Sequence, residues 1–116
     1  MAYQEKGKAH KSGGALSRGP LAGVKVVVLG VAFTAARTGT YLSVFGATTV
    51  RVDSHRRPDI LRFQGPFPGG NASLSESVWY ANVNSNMLGL SLDWTRPSGK
   101  AIMDRLLRWA DVVIEN

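Results

Sequence analysis

The chain contains no cysteine in its 116 residues, which removes disulfides, thiolate nucleophiles and cysteine-based zinc sites together. That absence fits a reducing compartment. No uninterrupted apolar run approaches the roughly 18 residues that a membrane-spanning helix needs. The first twenty residues also lack the apolar stretch of a secretory signal. Cytoplasm is therefore the expected location, with no membrane partner, and Asn71-Ala72-Ser73 is not expected to carry a glycan. Histidine is scarce as well: His10 and His55 have no metal-ligand spacing. No metal site is expected.

What is present is ordinary for one globular domain, with 44% hydrophobic and 19% charged residues. The charge is unevenly placed. Lys6, Lys8, Lys11 and Arg18 against Glu5 give the first twenty residues half of the net charge of +6. Glycine-rich and poor in apolar residues, residues 1–20 are expected to be a disordered basic tail. Such a tail could meet nucleic acid or acidic lipid, but a solvated leader is the simpler reading, and nucleic acid is not the expected partner.

From Val24 the pattern changes. Val24 to Leu29 is a β-rich run closed by Gly30, and a helix is predicted from about Thr34 to Phe45, with Thr38, Tyr41, Leu42 and Phe45 at helical spacing. Gly46 supplies a C-terminal stop, and Thr48 to Val52 reads as a second strand ended by Asp53. Strand, helix and strand in some thirty residues make a βαβ unit with parallel strands. The second half repeats this logic. Leu88 to Leu92 is a strand, Pro97 opens a helix, and Ile102, Met103, Leu106, Leu107 and Ala110 form its apolar stripe. Val112, Val113 and Ile114 then read as a strand covered on both faces. The fold class is α/β, a partial Rossmann-like, doubly wound parallel sheet over residues 21–116.

In such sheets ligands gather beyond the carboxyl ends of the strands. Gly30 and Asp53 sit at nearly the spacing of a dinucleotide fingerprint, yet Val31 to Ala35 lack its further glycines. The NAD reading is weak. The segment Ser54 to Ser77 is long for a loop within a domain and is expected to be functional or disordered; its Arg56, Arg57 and Arg62 could meet phosphates.

The motifs in order resemble the amino-terminal part of the family III CoA-transferases (CaiB/BaiF), the superfamily of formyl-CoA transferase and alpha-methylacyl-CoA racemase. Gly19-Pro20-Leu21-Ala22-Gly23-Val24-Lys25-Val26 resembles the family's G-P-L-x-G start. Phe45-Gly46-Ala47 through Val52-Asp53 is similar to its L-G-A-x-V-I-K-V-E. Pro58-Asp59-Ile60-Leu61-Arg62 with Gly65-Pro66-Phe67 resembles G-D-x-x-R and G-P-F. Asn84-x-Asn86, Leu90-Ser91-Leu92-Asp93, Pro97-Ser98-Gly99 and Ala110-Asp111-Val112-Val113-Ile114-Glu115-Asn116 follow the family's order and spacing from N-x-N to V-E-N.

The resemblance implies coenzyme A or an acyl-CoA as substrate, with no permanently bound cofactor. It maps CoA-contacting positions to Val31, Phe33 and Thr34 after the first strand, and to Ser54, Arg56 and Arg57 after the second. It adds Leu92, Trp94 and Thr95 after the third, and Asn116 at the last. Arg96 becomes a further phosphate candidate. Thr34-Ala35-Ala36 replaces the family's A-G-P, and Met87-Leu88-Gly89 replaces the K-R-S of its N-K-R-S. The family's catalytic aspartate lies beyond V-E-N and has no match here, so no catalytic residue is assigned. The chain is expected to be a fragment of a CoA-transferase, inactive alone. The full-length family implies an interlocked homodimer. The alternatives are a CoA-binding accessory subunit completed by a second polypeptide, a racemase-like fragment, and a nucleotide-binding module.

Overall fold

A computed structural model describes residues 19–116; all but the last two residues of the expected basic tail lie outside them. The elements are β1 (Lys25–Val28), α1 (Ala32–Val44), β2 (Thr48–Asp53), a 3-10 turn (Ile60–Phe63), α2 (Val78–Val83), β3 (Leu88–Ser91), α3 (Pro97–Trp109) and β4 (Val112–Ile114). All four strands are parallel, in the order β3-β2-β1-β4. The Rossmann-like α/β fold expected from the sequence is present.

Alternation along β1 builds two hydrophobic layers. Val26 and Val28 face α1 and pack with Ala35, Ala47 and Leu42. Val27 faces α3 and packs with Val52, Leu92 and Met103. All three valines are fully buried, as a strand covered on both faces requires. The crossover through α1 leads from β1 outward to β2, whereas α3 carries the chain back across the sheet to β4 on the other side of β1. Strand order thus reverses at β1, the point beyond whose carboxyl end sheets of this class place their ligands.

The long helices match the predicted faces in part: Leu42 of α1, and Met103, Leu106 and Ala110 of the α3 stripe, pack inward as expected, and the other positions differ. In α1 the buried residues are Ala35, Ala36, Gly39, Thr40 and Ser43, while Tyr41 and Phe45 are exposed. Small residues allow α1 to lie close against the sheet and α2, so large side chains are pushed outward. In α3 Met103 is buried and Leu106 packs beside it, but Ile102 and Leu107 face out. Gly46, at φ 107°, ends α1 as expected, its N–H bonded to the Ser43 carbonyl.

β4 also differs. It is the outermost strand beside β1, and Val112 and Val113 are 39% and 46% exposed. The expectation of cover on both faces does not hold among the described residues, because nothing packs over the outer half of β4 there.

The long connection after β2 is ordered by a turn and a helix that periodicity did not indicate. Asp59 caps the 3-10 turn through the Leu61 N–H, and Ser77 caps α2 through the Tyr80 N–H. Leu61, Val83 and Ala36 form a third small core that docks both pieces onto α1.

Gly39 tests the close approach of α1. A Cβ there would lie 2.6 Å from Val28 Cγ2 and 2.8 Å from Met87 Sδ. Alanine improves helix propensity by roughly 1 kcal/mol, but overpacking costs about 1–3 kcal/mol. Gly39→Ala is expected to lower stability in urea unfolding by about 1 kcal/mol, and a gain would contradict this packing.

Candidate functional site at the carboxyl edge of the sheet

The edge is organised by a charged pair inside the protein. Arg51 points from β2 toward the α1 face and is 3% exposed; Asp59, from the loop, is 1% exposed. A buried guanidinium is tolerable only when paired and hydrogen-bonded. One terminal nitrogen of Arg51 bonds Asp59 Oδ2 and the other the carbonyl of Gly30, the residue following Leu29 at the end of β1. Asp59 Oδ2 also accepts from the Ala32 N–H at 3.0 Å, and Oδ1 from the Leu61 N–H at 2.9 Å.

This carboxylate does what α1 cannot do locally. Val31 at the N-cap has no side-chain acceptor, and the first turn contains no acid. Asp59 therefore caps α1 from across the fold and places negative charge at its N-terminus. The Ala32 backbone is held at φ 58°, unusual for a residue with a Cβ. Gly30 is needed for room, since an added Cβ would collide with the Asn116 side chain and lie 2.5 Å from Ala35 Cβ.

A second cluster stands at the end of β2. Asp53 accepts from Arg62 Nε at 2.7 Å, the Ser54 N–H at 2.8 Å and the Tyr80 hydroxyl at 3.2 Å. The Arg62 guanidinium lies 3.6 Å from the Tyr80 ring centroid. Burial raises the Asp53 pKa, but the Arg62, Ser54 and Tyr80 hydrogen bonds and the Arg62 charge outweigh it, leaving the carboxyl below its ordinary value. Burial, then the Asp53 charge, pushes the Tyr80 phenol up. Asp53 is thus occupied in the position where a dinucleotide enzyme would use it on a ribose. Beside it opens a cavity of about 450 Å³, bordered by Ser54, His55, Arg62, Leu74 and Ser91.

The third cluster joins the loops after β2 and β3. Asp93 accepts from Thr95 Oγ1 at 2.5 Å and the Thr95 N–H at 3.1 Å, and it attracts Arg56 at 3.7 Å and Arg96 at 3.3 Å. The Thr95 hydrogen bond is the main reason its carboxyl pKa is lowered. Both arginines remain largely exposed.

The predicted positions are therefore distributed along one edge. Val31, Phe33 and Thr34 lie after β1, Asn116 after β4, Ser54, Arg56 and Arg57 after β2, and Trp94, Thr95 and Arg96 after β3. Asp93 brings Arg56 and Arg96 together. Leu92 is 8% exposed, and its side chain belongs to the core with Val27 and Met103. Sequence reasoning assigned no site role to Arg51, Asp59, Tyr80 or Arg37. A usable signal for the first was an arginine between two valines in a β-branched strand.

The parallel α/β sheet collects polar and cationic groups at its carboxyl edge, the side on which sheets of this class hold ligands. The chain belongs to CoA-transferase family III, whose family model matches residues 21–116. It is 30% identical over 99 residues to a succinate–glutarate CoA-transferase of Agrobacterium fabrum, covering 84% of this chain and 25% of that enzyme. It is 30% identical over 94 residues to a cinnamoyl-CoA:phenyllactate CoA-transferase of Clostridium sporogenes, covering 81% of this chain and 23% of that one. A CaiB/BaiF family protein from Brucella suis superposes with a TM-score of 0.73 at 29% identity, over 85% of this chain and 26% of that structure. The chain thus spans about a quarter of the length of these relatives.

The lowered pKa of Asp53 has a testable consequence. Its stabilising contribution is fully present above the ordinary aspartate value of 3.8 and is lost as pH falls through the lower folded value. The stability of the wild type should therefore fall more steeply below about pH 4 than that of Asp53→Asn. Parallel acid-unfolding curves would show that Asp53 is not held as an anion.

Proposed function

We propose that this chain carries part of the coenzyme A site of a family III CoA-transferase, an enzyme that moves CoA between an acyl-CoA thioester and a carboxylic acid. The observation that carries the proposal is the alignment of Val31, Phe33, Thr34, Ser54, Arg56, Arg57, Trp94, Thr95, Arg96 and Asn116 along one carboxyl edge. CoA is a substrate here, not a resident cofactor. Arg56, Arg57 and Arg96 supply cations for its phosphates. The Gly30–Ala32 turn, fixed by Asp59 and Arg51, offers backbone and apolar surface to the rest of the thioester. The resemblance supplies no catalytic carboxylate within these residues. Asp53 and Asp93 are engaged by arginines and Asp59 is buried, so none stands free as a nucleophile.

The acyl group and its acceptor are not set by family membership, since the relatives named above differ in both. A racemase-like parent would use the same CoA edge. The accessory-subunit reading is favoured by the uncovered Val112 and Val113 on β4, which a second polypeptide or further chain could bury. A cytoplasmic location and an oligomeric assembly are parts of the same proposal.

Calorimetric titration of the 116-residue chain with CoA is the test. Binding is expected, and Arg56→Ala and Arg96→Ala should each weaken it about tenfold, the loss of one charge-assisted phosphate contact. No acyl-CoA turnover is expected. Absence of CoA binding, or turnover by the pure chain, would contradict the proposal.

A further inference from the structure

Away from the arginine clusters, the start of α1 and the face of α2 present an aromatic surface with a cation beside it. Phe33 and Trp79 are 44% and 45% exposed, and their rings meet edge to face with centroids 6.1 Å apart. The Arg37 guanidinium stands 5.2 Å from the Phe33 centroid. Asn82 Oδ1 accepts from its Nη2 at 2.9 Å, which fixes the group while leaving other N–H bonds uncommitted. Among the described residues no carboxylate pairs with Arg37. A groove of about 250 Å³ continues from Trp79 along Pro66, Val78 and Asn82, a size suited to one ring rather than to a large ligand.

We propose that Phe33, Trp79, Arg37 and this groove form a subsite for an aromatic carboxylic acid. Trp79 and Phe33 offer ring edge and face for stacking, and Arg37 offers a rigid donor pair for the carboxylate. An aliphatic acid would satisfy the arginine and leave the rings unused. A neutral aromatic would do the reverse. Naming this acid as a reactant rests on the CoA-transferase reading, because Phe33 also belongs to the edge assigned to the thioester.

The test is titration of the full 116-residue chain with trans-cinnamate, butyrate and cinnamamide, followed by amide and indole NMR shifts. Cinnamate is expected to bind about tenfold more tightly than either control. Arg37→Gln and Trp79→Ala, both surface changes, should each weaken cinnamate about tenfold while leaving CoA affinity unchanged. Equal affinity for cinnamate and butyrate, or no effect of either substitution, overturns the subsite. Failure of CoA to bind while cinnamate still discriminates would remove the transferase reading and leave the aromatic-acid site standing.

Discussion

The structure depends on one buried ion pair. Arg51 and Asp59 tie three segments together by hydrogen bonds: the exit from β1, the first turn of α1 and the 3-10 turn in the long loop. Placing two charges out of water carries a large desolvation cost, and removing one partner of such a pair typically costs about 3–5 kcal/mol. Besides bonding each other, both members also satisfy backbone groups, so the pair specifies a geometry as well as contributing energy. Without it, the Gly30 carbonyl and the Ala32 N–H would lose their partners at the point where the sheet changes direction.

That geometry gives the carboxyl edge of the sheet its form. The hydrophobic layers on the two faces of β1 hold the helices against the sheet, whose strand order reverses there. The clamp then fixes the turn beside it. Asp53 with Arg62 and Tyr80 holds the long loop against the end of β2, and Asp93 gathers Arg56 and Arg96 beyond β3. In each cluster a carboxylate orients an arginine; the Arg51–Asp59 and Arg62–Asp53 pairs balance, whereas Asp93 meets two exposed arginines and leaves net positive charge there.

Much of this was legible in the residues. The β-branched runs of β1 and β2, the terminal Val112–Ile114 strand, Gly46 and Pro97 marked the elements well, because residue preference and punctuation are local signals. Ordered motifs then identified the family. Faces were harder to read. Tyr41 and Phe45 suggested an aromatic core side for α1, yet its buried side is made of Ala, Gly, Thr and Ser, chosen by close packing that no window of sequence reveals. Val112 and Val113 looked internal because β-branched residues mark sheets, not their centres. The pairings of Arg51 with Asp59 and of Arg37 with Asn82 join residues far apart in sequence, and only the fold brings them together. Ser77 before an aromatic run was a readable N-cap for α2, whose six residues are too few to show a period.

The most direct measurement is native-state amide hydrogen exchange on Asp59→Asn beside the wild type. The substitution keeps the side chain's shape while removing the charge that Arg51 and the Ala32 N–H share. A hydrogen bond to a charged acceptor is worth about 1.5–3 kcal/mol. The Ala32 amide should therefore exchange at least about tenfold faster in the variant, while Val27 within β1 keeps its protection. Unchanged protection at Ala32 would contradict the account, because the turn would then be held by something other than the buried pair.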